Sequence, residues 1–282
     1  MSRVITLSLE ASKRLVARAV ASLPDVREAA SNGIVVLSQG TSCGYILEEL
    51  AGVSLDISTY ACGYISGRGP CNLGPGEQFR LSLVVRGRLV RMAKKDGIDF
   101  TPELREYLGR MGPRDFFIKG GSIIDRDGRV AVMVGDRDGG EIGAALPLIK
   151  SGRIQSIIPM TVTKTAPVSL DEIMDTLRHD PITKTWCDAE PCDIVEMSGR
   201  IVTEIEALSI LTGARAHPIG MNGVGSSRGG VTLLVSGTSE EVRRAYDLLS
   251  AMKNEPLLRD PKMVKCETCP AYTDLRALPR VQ

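Results

Sequence analysis

The run Gly33-Ile34-Val35-Val36-Leu37 constrains this chain more than any other segment. Its apolar residues are mostly β-branched and uninterrupted, which is the pattern of a strand buried on both faces of a parallel sheet. The run breaks off at Ser38-Gln39-Gly40-Thr41-Ser42. The chain then resumes with helical spacing through Ile46, Leu47 and Leu50, closed by Gly52. Strand, glycine turn and helix make the first half of a βαβ unit, the crossover that parallel strands require.

The same alternation continues on both sides. Leu9 to Val26 places Leu15, Val16, Ala19 and Val20 on one helical face. Ser58 to Gln78 is rich in glycine and reads as turns with short strands, and Leu81 to Val90 fits either a strand or a helix. Thr101-Pro102-Glu103-Leu104 opens a helix with a threonine cap and proline at the first helical position. Phe116-Phe117-Ile118 is a strand followed by the turn Lys119-Gly120-Gly121. Arg126-Asp127-Gly128 is a hairpin-type turn leading into a strand from Arg129 to Val134. A helix over Glu141–Lys150 and a buried strand over Ile154–Pro159 complete the series. The expected fold is α/β, a Rossmann-like, open, mostly parallel sheet over residues 1–170.

A linker is expected over residues 171–192. Beyond it, strand, helix, two strands and a helix over residues 193–255 suggest a small ferredoxin-like α+β domain. Val202–Leu211 is its first helix, closed by Gly213, and Thr238-Ser239-Glu240-Glu241 is a capping box for its second. Residues 256–282 form a proline-punctuated tail that carries cysteines.

Composition bounds the function. With 35 basic against 34 acidic residues and no block of like charge, the chain lacks the features of a nucleic-acid tracking surface or a polybasic membrane anchor. No apolar run approaches the ~20 residues of a membrane span, and the N-terminus lacks the features of a secretion signal. A cytoplasmic protein is expected, with oligomeric state left open, including a homo-oligomer. Seven cysteines in such a chain argue against a disulfide framework. Cys266-Glu267-Thr268-Cys269 is a CxxC pair, and with Cys187 and Cys192 it offers four thiolates for zinc or an iron–sulfur cluster; unpaired reduced thiols are the alternative. Two histidines, His179 and His217, disfavour histidine-centred chemistry.

Three glycine turns carry the candidate chemistry. Gln39, Gly40, Thr41 and Ser42 lie between a strand and a helix N-terminus, where free amides and the helix dipole favour a phosphate or carboxylate. Lys119, Gly120 and Gly121 sit at a second strand end, where the lysine can meet an anion that the glycines allow close. Asp125, just beyond, is a candidate general acid or base if burial raises its pKa. Gly139 and Gly140 precede another helix, with Glu141 in its first turn as the second candidate proton carrier. Lys164 follows the strand ending at Pro159, at the carboxyl edge where open α/β sheets bind ligands.

Two stretches resemble the superfamily of ribose-5-phosphate isomerases and CoA transferases. They are the apolar strand followed by Gln39-Gly40-Thr41-Ser42, and Lys119-Gly120-Gly121-Ser122-Ile123-Ile124-Asp125-x-x-Gly128-x-Val130 with Gly139-Gly140 beyond it. The resemblance covers roughly residues 10–168. It implies a Rossmann-like sheet whose Gly40–Ser42 turn holds a phosphate or carboxylate-type group. The aspartate-rich run of the isomerase and the catalytic-glutamate context of the transferase are not present. The expected function is an enzyme acting on an anionic metabolite (phosphorylated, carboxylated or CoA-linked) by acid–base or acyl-transfer chemistry. The alternative is a non-catalytic metabolite- or metal-binding module that acts as a sensor or assembly factor.

Overall fold

A computed structural model describes residues 1–61, 63–66, 69–72, 80–93, 101–134, 138–179, 193–260 and 262. In chain order the elements begin β1 (Ser2–Leu7), α1 (Leu9–Ser22), α2 (Pro24–Asn32), β2 (Ile34–Leu37) and α3 (Thr41–Ala51). There follow β3 (Gly63–Ser66), β4 (Gly69–Asn72), β5 (Arg80–Val85), β6 (Arg88–Ala93), α4 (Thr101–Arg110), β7 (Phe116–Ile118), β8 (Ile123–Ile124) and β9 (Val130–Val134). Then come α5 (Gly140–Lys150), β10 (Gln155–Pro159), α6 (Leu170–His179), β11 (Asp193–Met197) and β12 (Arg200–Val202). The series closes with α7 (Glu204–Thr212), β13 (Arg215–Met221), β14 (Val231–Ser236) and α8 (Ser239–Ala251).

The fold is mixed α/β around a six-stranded sheet of order β12-β10-β7-β2-β5-β6. Its first four strands run parallel, and β5 and β6 are antiparallel additions at one edge. Both faces are covered, as the uninterrupted apolar strands require. Val35, Leu37, Phe116, Ile118 and Ile157 face a core shared with α1, α3 and α7. Their neighbours Ile34, Val36, Phe117 and Ile158 face the opposite core with α4 and α5. Period-two alternation therefore sorts residues between two apolar layers rather than between core and water.

The ambiguous stretch Leu81–Val90 is a hairpin. Its turn residues Arg86 and Gly87 both have positive φ (48° and 74°), the geometry of a tight two-residue connection. The later elements also differ from a self-contained small domain. β12 extends the main sheet beside β10, and β11 pairs antiparallel with β9. β13 and β14 do form a separate sheet, but its third strand is the N-terminal β1, paired antiparallel with β14. Val231, Leu233, Val235, Ala245 and Leu249 share one core with Leu15, Val16 and Val20 of α1. Local patterning marks β11, β13, β14 and α8 and most of α7, but it starts that helix at Val202, which belongs to the unexpected strand β12, and which earlier strand each one joins is decided by long-range packing. Among the described residues, no helix is long and apolar enough to cross a membrane.

Candidate functional site

All four parallel strands end on the same edge of the sheet, so each delivers its next residues to one rim. β2 delivers Ser38 to Gly40, β7 delivers Lys119 to Gly121, β10 delivers Met160 to Lys164 through a 3-10 turn (Val162–Lys164), and β12 delivers Thr203 and Glu204. The ladder carries on for one step past the strands, since Ser38 N donates to Ile118 O (2.9 Å) and Lys119 N to Ile157 O (3.2 Å). The side chains are thereby held by backbone that is itself part of the sheet.

Two of these groups, Ser38 and Lys119, meet a third from α5, Glu141. Lys119 Nζ donates to Ser38 Oγ at 2.9 Å and lies 3.3 Å from Glu141 Oε2, to which Ser38 Oγ also donates. Ser38 is fully buried, and the Lys119 and Glu141 side chains are nearly so. Glu141 reaches the rim from the first turn of α5. The turn ahead of it is tight: Gly139 has a φ of 76°, and any Cβ on Gly143 would sit 1.8 Å from Asp138 O. Gly121 is equally constrained, since a Cβ there would approach Val130 Cγ1 to 2.4 Å and the Ala131 carbonyl to 3.1 Å.

Two further features leave unsatisfied polar capacity at the rim. Among the described residues no side chain caps α3, whose N-cap is Gly40, so its first amides and the positive end of its dipole are open to another acceptor. Gln39 is 8% exposed, yet neither atom of its side-chain amide has a partner among the described residues, and Glu141 Oε1 has none either. Buried polar groups in folded proteins are nearly always hydrogen-bonded, so such a cluster needs an explanation.

Cys43, in the first turn of α3, is buried and its thiol donates to Ile118 O at 3.5 Å. Burial pushes its pKa up to about 12, which makes it an inert neutral thiol rather than a nucleophile. Lys164 is exposed as a residue, but its Nζ is drawn in to Gly121 O at 2.6 Å, and desolvation there lowers its pKa. Glu204, fully buried at the end of β12, accepts from Val162 N at 2.9 Å through Oε2. Its Oε1 and the facing Ser12 hydroxyl make no bond of good geometry, and burial raises the Glu204 pKa.

Asp125 stands differently from the expectation of a proton carrier. It is buried, and burial alone would raise its pKa, but three amides outweigh that effect. Leu170 N donates to Oδ2 at 3.0 Å, while Arg129 N (2.7 Å) and Asp127 N (2.9 Å) donate to Oδ1. The net pKa is lowered, so Asp125 is an ionised clamp joining the β8–β9 turn to the start of α6.

The structure therefore brings Gln39, Gly40, Thr41, Ser42, Lys119, Gly120, Gly121, Glu141 and Lys164 to one edge, with Gly139 and Gly140 supporting Glu141. Cys187, Cys192, Cys266 and Cys269 lie outside the described residues. Sequence reasoning placed Ser38 in the first glycine turn without giving it a role, and it passed over Glu204 and Lys13. Lys13 had a visible signal: it precedes Val16 and Ala17 by three and four positions, which puts a lysine in the buried stripe of α1. No protein-family model, curated protein or solved structure matches the chain.

Proposed function

We propose that this chain is an enzyme that moves a proton on a small anionic metabolite bound at the carboxyl edge of a Rossmann-like sheet. One observation carries the reading: the buried Ser38–Lys119–Glu141 contact lies beside an unpartnered Gln39 amide and an uncapped helix N-terminus. Structural polar networks satisfy themselves; this one keeps open valences at the carboxyl edge, the end at which open α/β sheets take ligands.

Within this reading, Glu141 is the acid–base group. Ser38 and Lys119 hold its Oε2, which leaves Oε1 as the oxygen able to accept or return a proton. Lys119 is placed to stabilise negative charge that develops on the ligand as the proton leaves. The Gln39–Ser42 turn and the Gly120–Gly121 turn supply backbone close to the ligand, and Gln39 supplies an amide that can both donate and accept.

The test is Glu141→Gln, which keeps the shape and removes the proton-carrying group. Turnover should fall by about 10²–10⁴-fold, while ligand-induced thermal stabilisation persists. A variant that still turns over at the parental rate would remove Glu141 from the acid–base role, and ligand stabilisation of the parent without any turnover would point instead to a binding module.

A further inference from the structure

Two of the rim segments lead into a cavity of about 330 Å³ that the acid–base reading leaves unused. Ser122 and Ile123, directly after Gly121, line one part of it, and Thr163 to Ala166, after β10, line another. Met133 of β9 and Ile194 of β11, paired across their ladder, belong to its wall. That wall is fixed in place. Ala166 N donates to Ile124 O at 2.8 Å, and Ile124 and Thr165 form a parallel bridge, so the segment after β10 is stitched to β8.

The lining decides which chemistry fits. Ile123, Val132, Met133, Ala166 and Ile194 make it mainly apolar. Its three hydroxyls are already bonded: Ser122 Oγ accepts from Met133 N at 3.0 Å, Thr163 Oγ1 shares a hydrogen bond with Thr161 at 2.9 Å, and Thr165 Oγ1 donates to Val162 O at 2.9 Å. Among the described residues lining the cavity, Lys164 is the one that carries charge. An ammonium has three donors, and here one of them goes to Gly121 O at 2.6 Å. An apolar space with a single ammonium on its lining suits a chain that ends in one anionic head. A carboxylate is that head, since its single charge matches one lysine, whereas a phosphate dianion brings more charge than one lysine offsets. The volume is about twice the ~150 Å³ that takes benzene in an apolar protein cavity, so a chain of roughly six to ten carbons fits.

We infer that this cavity binds the chain of a short aliphatic carboxylate, with Lys164 holding its head group. Lys164 also belongs to the rim, so the bound acid places its head where β10 and β7 deliver their last residues. Binding there needs nothing from Glu141 and goes beyond the acid–base reading.

The experiment is isothermal titration calorimetry of the full chain with straight-chain carboxylates from acetate to dodecanoate. Affinity should rise about two- to fourfold per methylene until the cavity is full, at roughly eight to ten carbons, and then level off. The primary alcohol of the same length should bind about tenfold more weakly, because it lacks the charged hydrogen bond. In Lys164→Met the acid should lose that advantage while the chain-length gain persists. Ala166→Phe, which fills the cavity, should remove the gain from the longer chains. Should that variant fail to fold, the Met133 methyl gives the answer in the parent chain. Labelled with carbon-13 and assigned through Met133→Leu, its signal should shift with octanoate and stay in place with acetate.

A flat chain-length series, an acid that keeps its advantage in Lys164→Met, an undiminished gain in folded Ala166→Phe, or a Met133 methyl that octanoate leaves in place overturns the inference. Glu141→Gln should give the parental binding series, so its turnover decides the acid–base reading separately.

Discussion

At the scale of single residues, Asp125 and Lys13 show how desolvation gives opposite outcomes according to what partners the charge. Asp125 receives three amides and stays charged; Lys13 has no carboxylate within ion-pair distance among the described residues, and its pKa falls to about 8. Asp125→Ala should cost about 3 kcal/mol, the scale of charged hydrogen bonds lost together, measured by urea unfolding. Its native pKa lies below the unfolded value, so the unfolded chain binds more protons on the acid side. The stabilisation is whole above an unfolded pKa of ~3.9 and is lost as pH falls through the lower native value. Asp125→Asn should flatten that limb of the stability curve. For Lys13 the native pKa of about 8 also lies below the unfolded one. Stability should then rise with pH between about 8 and ~10.4, and Lys13→Met should abolish the rise. The sequence marks Asp125 as special but cannot say whether burial or amides win. That depends on Leu170, which is distant in the chain.

At the scale of elements, local rules were legible wherever the signal was local. The capping box read at Thr238/Glu241 is formed and Gly213 closes α7 in the left-handed region, while α7 also has a box at Thr203/Glu206 that the reading from Val202 passed over. Thr238→Ala should cost about 1 kcal/mol in a thermal or urea melt. The β5–β6 hairpin was not legible, because its turn places arginine rather than asparagine or aspartate at a positive φ. The turn at Gly121 was legible as a turn, but not the reason for its glycine. A methyl there meets Val130 and the Ala131 carbonyl, so Gly121→Ala should destabilise by about 1–3 kcal/mol. It should also weaken ligand binding by displacing the carbonyl that holds Lys164.

At the scale of the whole molecule, the chain closes on itself. β1 borders β14, β11 and β12 return to sheets begun by the first half, and Arg14 ties Glu48, Glu49 and Glu255 together across α1, α3 and the segment after α8. Sequence order suggested a separable unit over residues 193–255; the pairings leave such a fragment without partners for β11, β12 and one side of β14. That fragment should be unfolded by circular dichroism, and the full chain should melt without a separate early transition for it. The assembled sheet also creates the candidate site, because Ser38, Lys119, Lys164 and Glu204 follow four different strand ends that only the sheet brings to one rim. Deuterium wash-in tests that convergence most directly. The protein is incubated in D2O with a panel of small phosphorylated and carboxylated metabolites, and each is weighed by mass spectrometry. The account predicts enzyme-dependent uptake at one carbon of one member, lost in Glu141→Gln although that variant is still stabilised by the same compound. Uptake that persists unchanged in Glu141→Gln would contradict it.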